Sequence, residues 1–158
     1  MTSPAPALTA PLLDEDTAVR LRIAVARISR RLRPTAAGRA AGLTPTRISV
    51  LLNIVRGGET GLSSLAESED LNPTMLSRVI GELVQSGLVA RVSDPGDRRA
   101  ARVTATPAGC RMAEQIRRER TDALNHALAE LNGRDRALIE RALPALEGLA
   151  QALRERRA

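Results

Sequence analysis

The chain has 158 residues, 24 of them basic and 18 acidic, giving a net charge of +6 and a pI near 11.3. This length supports one compact domain, or one small domain with helical extensions used for assembly. The charge favours a polyanionic partner, most commonly nucleic acid. The complete lack of Phe, Tyr and Trp argues against single-strand recognition by base stacking, which needs aromatic platforms.

All of the base is arginine, whose planar fork suits phosphate and guanine; a compositional bias toward Arg, Ala and Leu accounts for it equally well. Without aromatic side chains the core is aliphatic, and much burial is expected to come from association between chains. Cys110 is the one cysteine, so no intramolecular disulfide is possible and a reducing compartment fits. Met1 to Pro11 has no basic n-region and no apolar h-region, unlike a signal peptide. No apolar run approaches the roughly 18 to 20 residues that span a bilayer. A cytoplasmic location is expected.

Residues 1–11 carry three Pro and read as a tail. From Leu12 to about Arg33, Val19, Ile23, Ala26 and Leu32 recur at helical spacing, with Ile28 nearby, opposite a row of arginines; this predicts an amphipathic first helix. Pro34 and Gly38 end it, and a loop leads to Thr44-Pro45, an N-cap followed by Pro at the first helical position. The next helix runs from Pro45 to Arg56 with Ile48, Leu51, Leu52 and Val55 inward, stopped by Gly57-Gly58. Leu62-Ser63-Ser64 opens another, with Ser64 and Glu67 at capping-box spacing and Leu65 and Ala66 as core contacts. Asn72 caps and Pro73 starts a helix whose buried row is Leu76, Val79, Ile80 and Leu83; Gly87 closes it. Leu88–Val92 and Ala101–Thr106 are strand-like, and Asp94-Pro95-Gly96-Asp97 between them is dense in turn signals. Pro107 starts a long helix to about Leu131, striped by Met112, Ile116, Leu124, Leu128 and Leu131. The last helix, Asp135 to about Arg156, carries Leu138, Ile139, Leu143, Leu146, Leu149 and Leu153, with a kink expected at Pro144.

Residues 62–106 therefore lay out a helix, a tight turn, a second helix and a hairpin tipped by Arg98 and Arg99: the plan of a winged helix-turn-helix. One helix of such a unit can enter a major groove while the hairpin reaches the flanking backbone or minor groove. The fold class is mainly α with a small β-wing. The terminal helices are amphipathic, and none is long enough to be stable alone. Packing them together and against a second chain presents two recognition helices about a two-fold axis. The expected organisation is a disordered tail at 1–11, a helical dimerisation region at 12–37 and 107–157, and a DNA-binding domain at 44–106.

The stretches Leu62-Ser63-Ser64-Leu65-Ala66-Glu67, Asn72-Pro73-Thr74-Met75-Leu76-Ser77-Arg78-Val79-Ile80, Leu83-Val84-Gln85-Ser86-Gly87-Leu88-Val89, Asp94-Pro95-Gly96-Asp97-Arg98-Arg99 and Thr104-Ala105-Thr106-Pro107-Ala108-Gly109 resemble the multiple antibiotic resistance regulator (MarR) family of winged-helix dimers. The resemblance covers about residues 12–157 in order and spacing. It implies a two-fold homodimer on pseudo-palindromic duplex DNA, and a repressor released by a small ligand, often aromatic or phenolic. Gly81 stands in the recognition helix where a polar helix former is usual, at a cost of roughly 1 kcal/mol relative to Ala. Asp70 stands in the turn where such proteins often carry Gly.

Candidate DNA contacts are Ser63, Ser64, Asn72, Thr74, Met75, Ser77, Arg78, Asp97, Arg98 and Arg99. Arg78 can donate two bonds to guanine O6 and N7; the plainer alternative is phosphate or solvent contact only. Arg98 or Arg99 can enter a minor groove, with Asp97 bracing one of them, or the hairpin is a solvated charged turn. Ser63 and Ser64 can meet phosphate through their hydroxyls and the helix N-terminus. Cys110 and His126 read as a half-buried small residue and a dimer-helix surface residue. Arg117-Arg118-Glu119-Arg120 reads as a solvated face or interhelical pairing. No nucleophile–base pair, phosphate-binding glycine loop or metal-ligand spacing is present, so no enzyme activity, metal or cofactor is expected. The alternative function is a winged-helix dimer that serves protein–protein assembly without sequence-specific DNA binding.

Overall fold

The computed structural model describes residues 14–93 and 101–155. It contains two compact units, α1 forming one and the elements from Thr35 onward the other.

Helix α1 (Glu15–Leu32) is capped by Asp14, whose side chain accepts a hydrogen bond from the Thr17 backbone at 2.6 Å. Hydrogen bonds from the Thr17 side chain, chiefly, and from its backbone hold the Asp14 carboxyl below its ordinary value of 3.8. Glu15 and Asp16 in the first turn and Arg30 and Arg31 in the last match the helix dipole. No residue of α1 is buried, and Val19, Ile23, Val25 and Ile28 are all exposed. Leu21 and Val25 join the expected Ile28 and Leu32 in a second apolar row at helical spacing, beside the expected Val19, Ile23 and Ala26.

The expected loop after Pro34 contains a short helix, α2 (Ala36–Ala40). Thr35, almost fully buried, caps it by accepting from the Gly38 N–H at 3.2 Å. The Glu119 carboxylate accepts from the Ala37 N–H at 3.1 and 3.2 Å. Glu119 is therefore a cap for α2 and not only part of a solvated face.

Helix α3 (Pro45–Gly57) starts as expected, with the Thr44 hydroxyl accepting from the Arg47 N–H at 3.3 Å and Pro45 in the first turn. Its inward residues differ from the expected set. Ile48 and Leu51 are buried, Val50 and Ile54 join them, and Leu52 and Val55 are only half-buried. The reason is that α3 is covered on more than one side, packing against α4 (Leu62–Glu69), α5 (Pro73–Gln85), β3 (Ala101–Ala105) and α6 (Pro107–Ala129).

Two residues, Thr60–Gly61, form β1, which pairs antiparallel with β3 at Thr60↔Val103 and Gly61↔Arg102. The sheet order is β1-β3-β2, with β2 being Val89–Ser93. The β2–β3 register runs from Val89↔Ala105 to Ser93↔Ala101. Arg102 Nε meets Glu59 Oε1 at 2.8 Å beside this edge.

Pairing of Thr60 and Gly61 into the sheet fixes where α4 begins, and it corrects one expectation. Gly61 is the N-cap and makes no side-chain cap bond, so the Ser64–Glu67 capping box does not form; Ser64 lies inside the first turn. At the other end Asp70 adopts a left-handed conformation, φ 54. That is the position where Gly is common, and Asp tolerates it better than most residues.

Helix α5 matches the expected row: Leu76, Val79, Ile80 and Leu83 are buried. These residues, with Val50, Leu51, Ile54, Leu65, Ala66, Leu88, Val89 and Val103, make the main aliphatic core. Complete burial of one such side chain contributes about 1.5–3 kcal/mol. The N-terminal half of α6 belongs to this body, with Gly109, Ala113 and Ile116 buried and Met112 packed on the core. Beyond it the character changes. Leu124 and Leu131 are exposed, as are Leu138, Ile139, Leu143, Leu146, Leu149 and Leu153 of α7 (Gly133–Glu155). Helix α7 stays helical through Pro144.

Candidate nucleic-acid interface

The start of α5 is fixed by chemistry local to the sequence. Asn72 Oδ1 accepts from the Met75 N–H at 2.8 Å, satisfying a donor that the first turn leaves orphaned, and Pro73 needs no donor of its own. Opposite the buried row lie Thr74, Ser77, Arg78, Gly81 and Gln85, all exposed, with Met75 half-exposed at their edge. Asn72 is thus a cap whose Oδ1 is engaged within the chain. Ser63 and Ser64 are exposed in the first turn of α4. A Cβ added at Gly81 would meet nothing within 4 Å, so the fold does not require glycine there.

Arg78 is the most exposed member of a chain of charged contacts. Its side chain is 82% exposed, and its Nε donates to Glu82 Oε1 at 3.4 Å. Glu82 is half-buried, and its Oε2 receives Arg47 Nε and Nη2, both at 2.6 Å. Arg47, on α3, also donates from Nη1 to the Gly42 carbonyl at 3.2 Å. The hydrogen bond from Arg47 is the chief reason the Glu82 carboxyl is held below its ordinary value of 4.5; burial works against it, and Arg78 adds a smaller push downward. The spacing of Arg78 and Glu82 on one helix was visible in the sequence. The Arg47–Glu82 pair, 35 residues apart, carried no local signal, and both residues were absent from the expected site.

The arms of the wing, β2 and β3, are in place, and the expected contacts Asp97, Arg98 and Arg99 lie outside the described residues. The hairpin is joined to α6 by Thr106. Its N–H donates to the Leu88 carbonyl at 3.1 Å, its hydroxyl donates to the Gly87 carbonyl at 2.7 Å, and the same oxygen accepts from the Gly109 N–H at 3.0 Å.

An open depression of about 420 Å³ between α4 and α5 is lined by Ser63, Ala66, Glu67, Asp70, Leu71, Asn72 and Pro73. Two carboxylates on its wall make it a poor cradle for phosphate. Cys110 is exposed near the start of α6. His126 is exposed, with Nδ1 2.8 Å from the Asp122 carbonyl. Among the described residues, no three His, Cys, Asp or Glu side chains are grouped to hold a metal ion. No described helix is long and apolar enough to cross a membrane.

The MarR family model matches residues 43–101. The HTH-type transcriptional regulator MT0903.1 of Mycobacterium tuberculosis is 32% identical over 133 residues, which cover 83% of this chain and 92% of that protein. The crystal structure of a putative transcriptional regulator from Pseudomonas aeruginosa PA01 is 33% identical, covering 87% of this chain and 96% of that one, with a TM-score of 0.73. A structure of NadR in complex with 4-hydroxyphenylacetate shares the fold at 19% identity, covering 90% and 97% of the two chains, with a TM-score of 0.58.

Proposed function

This chain belongs to the MarR family of winged helix-turn-helix, DNA-binding transcriptional regulators, and we propose that it acts as a homodimeric repressor on a pseudo-palindromic operator, released by a small aromatic or phenolic ligand. The observation that carries the DNA reading is α5: one side fully buried, the other polar and open, with Arg78 standing out from it. On this reading Arg78 donates to a base edge in the major groove, and Thr74, Met75 and Ser77 line the same contact. Ser63 and Ser64 meet phosphate near the start of α4, and Asn72 holds the helix that carries Arg78. Arg98 and Arg99 of the wing reach the minor groove or backbone, with Asp97 bracing one of them.

The dimer reading is supported by apolar exposure concentrated, Met75 apart, in the first and last helices of the chain. Helix α1 buries nothing, and α7 exposes six large aliphatic side chains. Residues 12–37 and 107–157 supply the dimer contacts in this proposal, and 44–106 the DNA-binding domain, with the first half of α6 packed on it. The ligand class follows the phenolic acid bound by NadR, brought here on likeness of fold. A cytoplasmic location goes with this function.

The test is selection of bound duplexes from a random pool, followed by titration of the winner at several salt concentrations. Two wings and two recognition helices should neutralise roughly 6 to 10 phosphates, so log K should fall steeply with log salt. Half-site centres should lie roughly 34 Å, one helical turn, apart. 4-Hydroxyphenylacetate is the first ligand to add, and it should weaken binding. No enriched sequence together with a flat salt response would favour the assembly module without DNA reading.

A further inference from the structure

Glu82 has no place in the contacts assigned above, yet it sits at the centre of the charged chain beside them. Its Oε2 is occupied by Arg47 through two donors at 2.6 Å, which leaves Oε1 facing Arg78. Arg47 is itself tied to the Gly42 carbonyl, so the carboxylate is anchored on two elements, α3 and the turn that leads into it. Arg78 uses its Nε toward this carboxylate. That choice of atom matters. A guanidinium held at Nε keeps its outer nitrogens for another partner, and guanine O6 and N7 need a pair of donors in one plane. The pairing is also a poor candidate for a helix stabiliser. It runs Arg before Glu at i, i+4, the less favourable order, and Arg78 is 82% exposed, where such pairs contribute little.

We infer that Glu82 is a positioning residue for Arg78: braced by Arg47, it fixes the guanidinium through Nε and aims the remaining nitrogens at a guanine edge. This rests on the base-reading role given to Arg78 in the preceding proposal. Holding a rotamer-rich side chain in its bound geometry before contact removes part of the entropy cost of binding. Loss of Glu82 should therefore lower the preference for the base pair read by Arg78 by roughly two- to fivefold, the most that one exposed pair can supply. Affinity for random-sequence duplex should not fall, because one negative charge near the phosphates is gone.

The experiment uses the full chain and the duplex enriched by the wild-type protein, with its single-base variants. Proteins compared are wild type, Glu82→Ala, Glu82→Gln, Arg47→Gln, Arg78→Ala and the Glu82→Ala/Arg78→Ala pair. NMR relaxation of the Arg78 Nε–H group in the free proteins reports its ordering without DNA. The expected result is that Glu82→Ala and Arg47→Gln both loosen Arg78 and lower discrimination at one position per half-site, while Glu82→Ala has no further effect on discrimination once Arg78 is gone. Unchanged Arg78 relaxation in Glu82→Ala overturns the inference. So does an equal loss of discrimination with and without Arg78, which would mean that Glu82 acts through the fold of α5. If Glu82 instead masks Arg78, Glu82→Ala will sharpen discrimination, and the inference is wrong. A wild-type protein that enriches no sequence, with Arg78 still ordered by Glu82, removes the base-reading function itself and the positioning role with it.

Discussion

Two glycines in helices should respond in opposite ways to the same added methyl group. At Gly109, in the first turn of α6, an added Cβ would lie 2.0 Å from the Leu88 carbonyl oxygen, 3.0 Å from its carbon and 3.4 Å from Leu51 Cδ1. Relief requires a backbone shift of at least about 1 Å, and overpacking of this kind costs about 1–3 kcal/mol. The shift also strains the bonds from Thr106 to Leu88 and Gly87, each with a net value of about 1 kcal/mol. Replacing Gly by Ala in a helix returns up to about 1 kcal/mol. The net for Gly109→Ala is a loss of about 2–3 kcal/mol. At Gly81 the same methyl meets nothing within 4 Å, so Gly81→Ala should stabilise by about 0.4–1 kcal/mol. For a chain of this size the expected shifts in Tm are down by roughly 4–12 °C and up by roughly 1–4 °C. Far-ultraviolet circular dichroism is the assay, because no aromatic residue reports on tertiary structure. Protein concentration must be held fixed, since association shifts apparent stability. A Gly109→Ala protein melting at or above wild type would refute the close packing of α6 against Leu88.

Removing the cap on α2 with Glu119→Ala should cost about 0.5–2 kcal/mol, read as a lower denaturant midpoint; an unchanged midpoint would mean that Ala37 finds another acceptor without loss. Because the Glu82 carboxyl titrates below 4.5 in the folded chain, its contribution is complete above that pH and is lost as pH falls through the lowered folded value. Glu82→Gln should therefore lose less stability than wild type on acidification below pH 4.5, and parallel acid profiles would contradict the pairing with Arg47. Leu146→Asp and Leu149→Asp place charges among exposed leucines of α7 and should dissociate or unfold the proposed dimer. Sedimentation of these variants as wild-type-sized particles, or of the wild type as a folded monomer, would place the dimer contacts elsewhere or remove them.

What could be read from the sequence was what the chain decides locally. Thr44-Pro45, Asn72-Pro73 and Pro107 mark helix starts because capping needs residues only three apart. The row Leu76, Val79, Ile80, Leu83 was legible because α5 presents one face to one core. Helix α3 was less so, since it is covered from several directions and buries Val50 and Ile54 as well. Helix α2 is only five residues long, and although Thr35 caps it locally, its other first-turn acceptor, Glu119, is 82 residues away. Strand β1 exists only through β3, and that pairing moved the α4 cap from the expected Ser64 to Gly61. The exposed row of the candidate site, Thr74, Met75, Ser77 and Arg78, followed from helical phase alone. Glu82 stands one turn from Arg78 on the same helix and was visible as such, but its bracing by Arg47 depended on a contact between two helices and left no mark in the sequence.

The joint at Thr106 has a mechanical consequence. Three hydrogen bonds and a glycine pressed against the Leu88 carbonyl leave no slack between the end of the recognition helix and the start of α6. Helix α6 then runs 23 residues, about 34 Å at 1.5 Å per residue. Its first half is bedded on the core and Glu119 reaches α2, so the free lever is the roughly 15 Å beyond Glu119, whose far end swings by about 1.3 Å for a tilt of about 5°. Close-packed interiors pass on such displacements instead of absorbing them. A small movement forced on the distal part of α6 would therefore reach α5 by two routes, this joint and the contacts of Met112, Ile116 and Glu119 with the body.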